Sequence, residues 1–200
     1  MQWTGGVGRR PSGYGDPMGS VLDGIDDSLG AWLHEQPLFF VATAPLEASQ
    51  HINLSPKGLR GTFTVLHDRA VAYLDLTGSG IETIAHLREN GRIVLMFCAF
   101  SGRPRIVRIH GTGRVITSPE PEFDELVSHF SEHPGVRSVI VVEVTRVSDS
   151  CGYGVPEMEF QGDRTVLDLS ARKRGPDGVL EYQRAMNEHS IDGLPGLPFS

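Results

Sequence analysis

Two hundred residues, 39% of them hydrophobic, suffice for one domain with a sizeable core and are too few for two ordinary ones. A formal net charge of −7 and a pI near 5.6 oppose a phosphate backbone, so nucleic acid is not expected as a partner. No apolar run approaches the roughly 18 residues that cross a bilayer, the N-terminus carries no signal-type apolar block, and Cys98 and Cys151 alone make no disulfide framework, which together predict a cytoplasmic protein without a membrane partner.

Residues 1–20 hold six glycines, Arg9-Arg10 and Pro11 and show no period of 2 or 3.6, so a disordered tail is expected there, with Met18 as an alternative start. Ile25, Leu29, Trp32 and Leu33 recur at helical spacing, predicting a short helix over 25–35, capped by Asp23 and ended by Pro37. Strands are predicted at 38–43, 50–54, 61–66 and 71–76, the last two separated by the turn-prone His67-Asp68-Arg69. Between Gly80 and Asn90 the residues Ile81, Ile84, Ala85 and Leu87 mark one helix face, and Asn90-Gly91 stops it because both tolerate positive φ. A hairpin follows, with strands over 92–100 and 105–116 around Ser101-Gly102-Arg103-Pro104. Pro119 to His133 reads as a helix with Ser118 as N-cap, 136–147 as a strong strand, and 179–187 as a last helix. Strands in meander order with few helices predict a mainly β (α+β) class, a small antiparallel barrel over 21–150, with 151–200 as a C-terminal extension packed on it.

The segment Thr77-Gly78-Ser79-Gly80-Ile81-Glu82-Thr83 joins a strand to a helix. Helix-start amides are unpaired and carry the positive end of the dipole, and glycines let an anion come close, so this turn is a candidate phosphate cradle or a plain helix cap. In a second polar cluster earlier in the chain, His51, Asn53 and Ser55 share a strand face by the period-2 rule, and Lys57 follows as a candidate charge. Arg103, Arg105, Arg108 and His110 form a cationic band on one hairpin of an acidic chain, with Arg108 and His110 on one face, which favours an anionic ligand. The histidines show no metal-ligand spacing, and neither a nucleophile elbow nor a triphosphate loop exists. Cys151, followed by glycine in a turn, and Tyr153 are open to either a redox or stacking role or a structural one.

Read together, Thr77-Gly78-Ser79-Gly80, then Asn90-Gly91-Arg92, then Val94-Leu95-Met96-Phe97, then Arg105-Ile106-Val107-Arg108-Ile109-His110-Gly111 resemble the pyridoxamine 5′-phosphate oxidase-like superfamily of split β-barrels, over about two fifths of the chain. The resemblance implies a homodimer with flavin mononucleotide (FMN) sites at its interface. By position Thr77, Gly78, Ser79, Gly80 and Thr83 would cradle the phosphate, and His51, Asn53, Ser55 and Lys57 would line the ribityl chain and ring. The family turn continues Ser-Arg-Lys, where this chain has Ile81, Glu82 and Thr83. Two cations are therefore missing, Glu82 opposes a phosphate, and Lys57, Arg105 or Arg108 must compensate. The Trp-containing segment and Arg-x-His pair of the vitamin B6 oxidases are replaced by Phe160-Gln161-Gly162-Asp163-Arg164, so B6 oxidation is not expected. Asn-x-Ser-Pro-Lys-Gly and Cys-Gly-Tyr-Gly-Val-Pro are similar to an uncharacterised branch. What the resemblance implies is an FMN-dependent oxidoreductase acting on a small-molecule substrate. The alternatives are a flavin-binding protein without turnover and a reductase using the deazaflavin coenzyme F420, for whose acidic tail the Arg103–His110 hairpin is the candidate groove.

Overall fold

The structure, a computed structural model, describes residues 19–199. The expected tail and the alternative start at Met18 lie outside the described residues. In chain order the elements are β1 (Ser20–Leu22), α1 (Asp27–Glu35), β2 (Leu38–Thr43), β3 (Asn53–Gly58), β4 (Phe63–His67), β5 (Ala70–Leu76), α2 (Glu82–Asn90), β6 (Arg92–Cys98), β7 (Ile106–Ile116), α3 (Phe123–Val127), β8 (Val136–Ser150) and α4 (Val166–Met186). The strands form one antiparallel sheet in the order β3-β2-β6-β7-β8-β5-β4, with β1 added to β8. It curls into a split β-barrel, because among the described residues no backbone ladder joins β3 to β4 or β5. No helix of the described residues is long and apolar enough to cross a membrane.

Alternation places Phe39 and Val41 of β2, Leu95 and Phe97 of β6, Val107 and Ile109 of β7, and Tyr73 of β5 in the barrel interior, all buried. Phe39 stacks on Phe97 at 5.1 Å between ring centroids and meets Tyr73 edge-on at 5.5 Å, filling the barrel with aromatic area. A smaller cluster around Leu74, Ile116 and Val139 lies on the outer side of β5 and β8, under Phe123 and Phe130.

Most of the predicted strands are present, and the departures have local causes. Asp26, not Asp23, caps α1, its Oδ1 accepting from the Leu29 amide at 2.8 Å, because the cap must stand three residues before its donor. β3 starts at Asn53 and runs through Pro56, which an edge strand tolerates. The predicted helix over 119–133 shrinks to the five residues of α3. Pro119 and Pro121 donate no amide, and the Glu120 carboxylate takes the Thr117 amide at 2.7 Å in a turn instead. α4 is much longer than the predicted helix and is broken at Gly175 (φ 66°) before Pro176. It buries no residue, so it writes no apolar stripe into the sequence. α2 ends as predicted, with Gly91 at φ 71° and its amide donating to the Leu87 carbonyl at 3.0 Å.

β7 and β8 slip register between His110 and Gly111, where Thr145 is the extra residue and its hydroxyl donates to the His110 carbonyl at 3.1 Å. A Cβ on Gly111 would run into the Glu143 carbonyl and lie 2.7 Å from a Val142 methyl. Gly111→Ala is expected to cost about 2–3 kcal/mol, read as a lowered denaturant midpoint at unchanged slope.

Candidate functional site

On β3 the residues Asn53, Ser55 and Lys57 face the barrel opposite Thr43, Val41 and Phe39, whereas Leu54 and Pro56 point outward. The structure therefore brings Asn53 and Ser55 together, Ser55 Oγ donating to Asn53 Oδ1 at 2.9 Å. The Asn53 amide donates in turn to Thr83 Oγ1 at 3.0 Å and Thr43 Oγ1 at 3.2 Å, and Thr43 meets His86 Nδ1 at 2.9 Å. Burial lowers the His86 pKa against the opposing pull of Glu82 and Glu89, so this ring is neutral near pH 7. His51 stands apart, ahead of β3, with 72% of its side chain exposed and its Nδ1 2.7 Å from Asp192.

Lys57 reaches across the barrel seam. Its Nζ donates to Asp75 Oδ1 at 3.0 Å, while Arg137 Nε donates to Asp75 Oδ2 at 2.7 Å. Burial alone would raise the Asp75 pKa, but the charges and hydrogen bonds of Lys57 and Arg137 hold its carboxyl well below the ordinary range. Two cations against one carboxylate leave one positive charge in excess. Tyr73 lies beside the triad, its hydroxyl pushed up by burial and by Asp75, against Arg137, and so kept protonated.

Arg137 extends from the triad into the glycine turn. Its Nη1 donates to the Gly80 carbonyl at 2.9 Å and to Asn187 Oδ1 at 2.9 Å, and Asn187 Nδ2 donates to the Gly78 carbonyl at 2.9 Å. Thr77 is engaged too, donating to the Gly135 carbonyl at 2.8 Å and accepting from Gln183 at 2.7 Å. At the start of α2 no side chain caps the helix. Glu82 stands there, one carboxylate oxygen accepting from the Ile191 amide at 3.3 Å and the other 2.8 Å from where a Gly80 Cβ would sit. A phosphate at this helix start would face that carboxylate at close range, so the α2 start does not fit the group.

The other side of the turn is open. A cleft of about 490 Å³ runs along the seam, lined by Lys57, Thr77 and Gly78 and by Leu38, Leu76, Asp163, Arg164 and Leu167. Lys57 keeps 20% of its side chain exposed, and Asp75 uses one of its three donors. This cleft fits a largely apolar flat molecule bearing an anionic group. Arg105 and Arg108 lie at the far end of β7 and β8 from it. Arg105 is paired with Asp149 at 2.7 Å and stacked over Trp32, and Arg108 donates to Ser150 Oγ at 3.1 Å. Neither supplies the turn with charge; Arg137, which sequence reading missed, does. Its signal was an isolated arginine heading a strand of apolar residues, matched by a lone aspartate inside apolar β5; buried charges imply partners.

A family model described as pyridoxamine 5′-phosphate oxidase matches residues 25–151. The chain belongs to this family. It is 43% identical over 191 residues to the pyridoxamine 5′-phosphate oxidase family protein ustO of Aspergillus flavus, covering 88% of this chain and 76% of that one. Solved structures similar in part include HupZ of Group A Streptococcus (21% identity, TM-score 0.47, 62% of this chain and 91% of that one) and an FAD-binding protein of Mesorhizobium loti (13%, 0.46, 66% and 96%). The family match ends at Cys151. Asn187, Asp192 and the 162–167 wall of the cleft therefore come from the chain beyond it.

Asp75→Asn is expected to lose about 3–5 kcal/mol by leaving Lys57 and Arg137 unpaired. The wild-type contribution is complete above the ordinary carboxylate pKa and fades as pH falls below about 4, because the folded state holds the group ionised. Urea midpoints against pH check both; the Asn variant should lose this acid-side slope.

Proposed function

We propose that this family member is a flavin-dependent oxidoreductase that binds its flavin in the seam cleft, with FMN as the expected form and a small molecule as substrate. The observation that carries this is the convergence of Lys57, Thr77 and Gly78 on one cleft of about 490 Å³ whose remaining lining is mostly leucine and proline. That volume and composition suit a flat ring system. When bound, the flavin supplies the redox chemistry. The chain's own residues bind and orient it. Lys57 offers its exposed donor to an anionic group, the triad's excess positive charge sets the field, and the leucines exclude water from the ring. The deazaflavin reading needs the Arg103–His110 hairpin as a groove for an acidic tail, and the engagement of Arg105 by Asp149 and Trp32 favours a flavin instead.

We further propose a homodimer formed through the outward face of β3, β2, β6 and β7. β3 turns Leu54 outward, 65% exposed, just after Ile52, 76% exposed, and beside half-buried Phe40 and Met96 in facing register. Arg108 and His110 continue the same face, so each chain would bring them towards its partner's cleft edge.

Purified protein is expected to be yellow, or to become so with added FMN, and Lys57→Gln to weaken flavin binding by about tenfold in fluorescence titration. Colourless protein that ignores both FMN and riboflavin would refute the flavin reading. Bound flavin that accepts no hydride from a nicotinamide donor would make the chain a carrier, not an oxidoreductase. Leu54→Glu should shift the dimer to monomer in sedimentation equilibrium; a monomeric wild type removes the dimer.

A further inference from the structure

The start of α2 is a place where an anion belongs on physical grounds, and in this chain the anion is already there. Glu82 lies in the first helical turn, where the dipole favours a carboxylate. It is held in place by the Ile191 amide and leans over Gly80. The segment that holds it is itself anchored. Asp192 accepts from the His51 amide at 2.8 Å and from its ring, Arg88 donates to the Gly196 carbonyl, and Leu197 is buried in the core. Behind the turn, Arg137 and Asn187 take the carbonyls of Gly78 and Gly80, so the turn cannot re-form around a ligand without losing buried hydrogen bonds. Two carboxylates, Glu82 and Asp192, therefore guard the helix start, and the triad's single excess positive charge lies on the cleft side.

Building on the flavin reading, we propose that Glu82 is a specificity-determining residue that excludes the cofactor's phosphate from the α2 start. The chain then holds a flavin by its ring, with the cleft-side Lys57 as the one cation for its phosphate and no phosphate site at the α2 start. FMN and riboflavin should bind with affinities within about tenfold of each other, where a dedicated phosphate site would separate them far more.

The test is a pair of fluorescence titrations, FMN and riboflavin, on full-length wild type and Glu82→Gln. Glutamine keeps an oxygen for the Ile191 amide and removes only the charge, so the fold is preserved. The FMN-to-riboflavin affinity ratio is expected to rise about tenfold in E82Q through tighter FMN binding, with riboflavin affinity unchanged. A wild-type preference for FMN of more than about tenfold overturns the proposal, as does an E82Q ratio within about threefold of wild type. The wild-type comparison stands even if the variant folds poorly. Binding of neither flavin would instead overturn the flavin reading itself.

Discussion

A single buried carboxylate holds this barrel's seam together. The Asp75 side chain is fully buried, and an unpaired charge in that position would unfold or protonate; what keeps it ionised is Lys57 from one side and Arg137 from the other. The three residues belong to β3, β5 and β8. β3 and β5 share no backbone ladder, so an ion pair does across the split what hydrogen-bonded strands do elsewhere in the sheet. The Arg137 guanidinium has donors left after Asp75, and it uses them on the Gly80 carbonyl and on Asn187. Seam, turn and C-terminal segment are therefore coupled through one planar group. Lysine in place of Arg137 would keep the charge and lose the fork that reaches all three.

What was legible in the sequence follows from what leaves a periodic mark. β2, β5, β6 and β7 alternate or run apolar because one or both faces are buried, and α2 ends at Gly91 because only a residue free of Cβ strain turns the chain there. The polar face of Asn53 and Ser55 follows from period 2 alone. α4 was invisible as a 21-residue helix because it buries nothing, and 119–133 looked helical because propensity and a good cap residue said so while two prolines and Glu120 closed a turn. The Asp75–Arg137 pair spans 62 residues, and no local pattern encodes such a partner. The compensating cation was expected from Lys57 or from Arg105 and Arg108 of the β7 hairpin; Lys57 does reach the seam, but the cation that bonds the turn itself is a third one. It sits instead inside an apolar strand, where a charge is expensive and so means more.

The strand β3 has an inverted polarity. An edge strand usually hides its apolar side and shows its polar one; β3 does the opposite, putting Asn53, Ser55 and Lys57 inward and Leu54 outward. The inward residues build the hydrogen-bonded wall of the barrel mouth, ending at the lysine that faces the cleft. The outward residues then have no water-compatible role unless another surface covers them. One alternation thus sets both a polar inner wall and an apolar outer face, and moving the register by one residue would exchange the two.

Residues after the family match act as part of the site and not as an appendage. Leu197 and Phe199 pack on the barrel core, Gln183 and Asn187 bind the turn, Ile191 and Asp192 hold Glu82 and His51, and Arg164 and Leu167 wall the cleft. The residues within the family match supply the helix start and the seam. The extension closes the helix start by holding the core's Glu82 with the Ile191 amide, and its residues 162–167 wall the seam cleft. A change of ligand preference within such a family needs no new fold, only a different segment laid across the same turn; here that segment fixes the core residue Glu82 through the Ile191 amide, adds Asp192 beside it, and sets Asn187 against the Gly78 carbonyl.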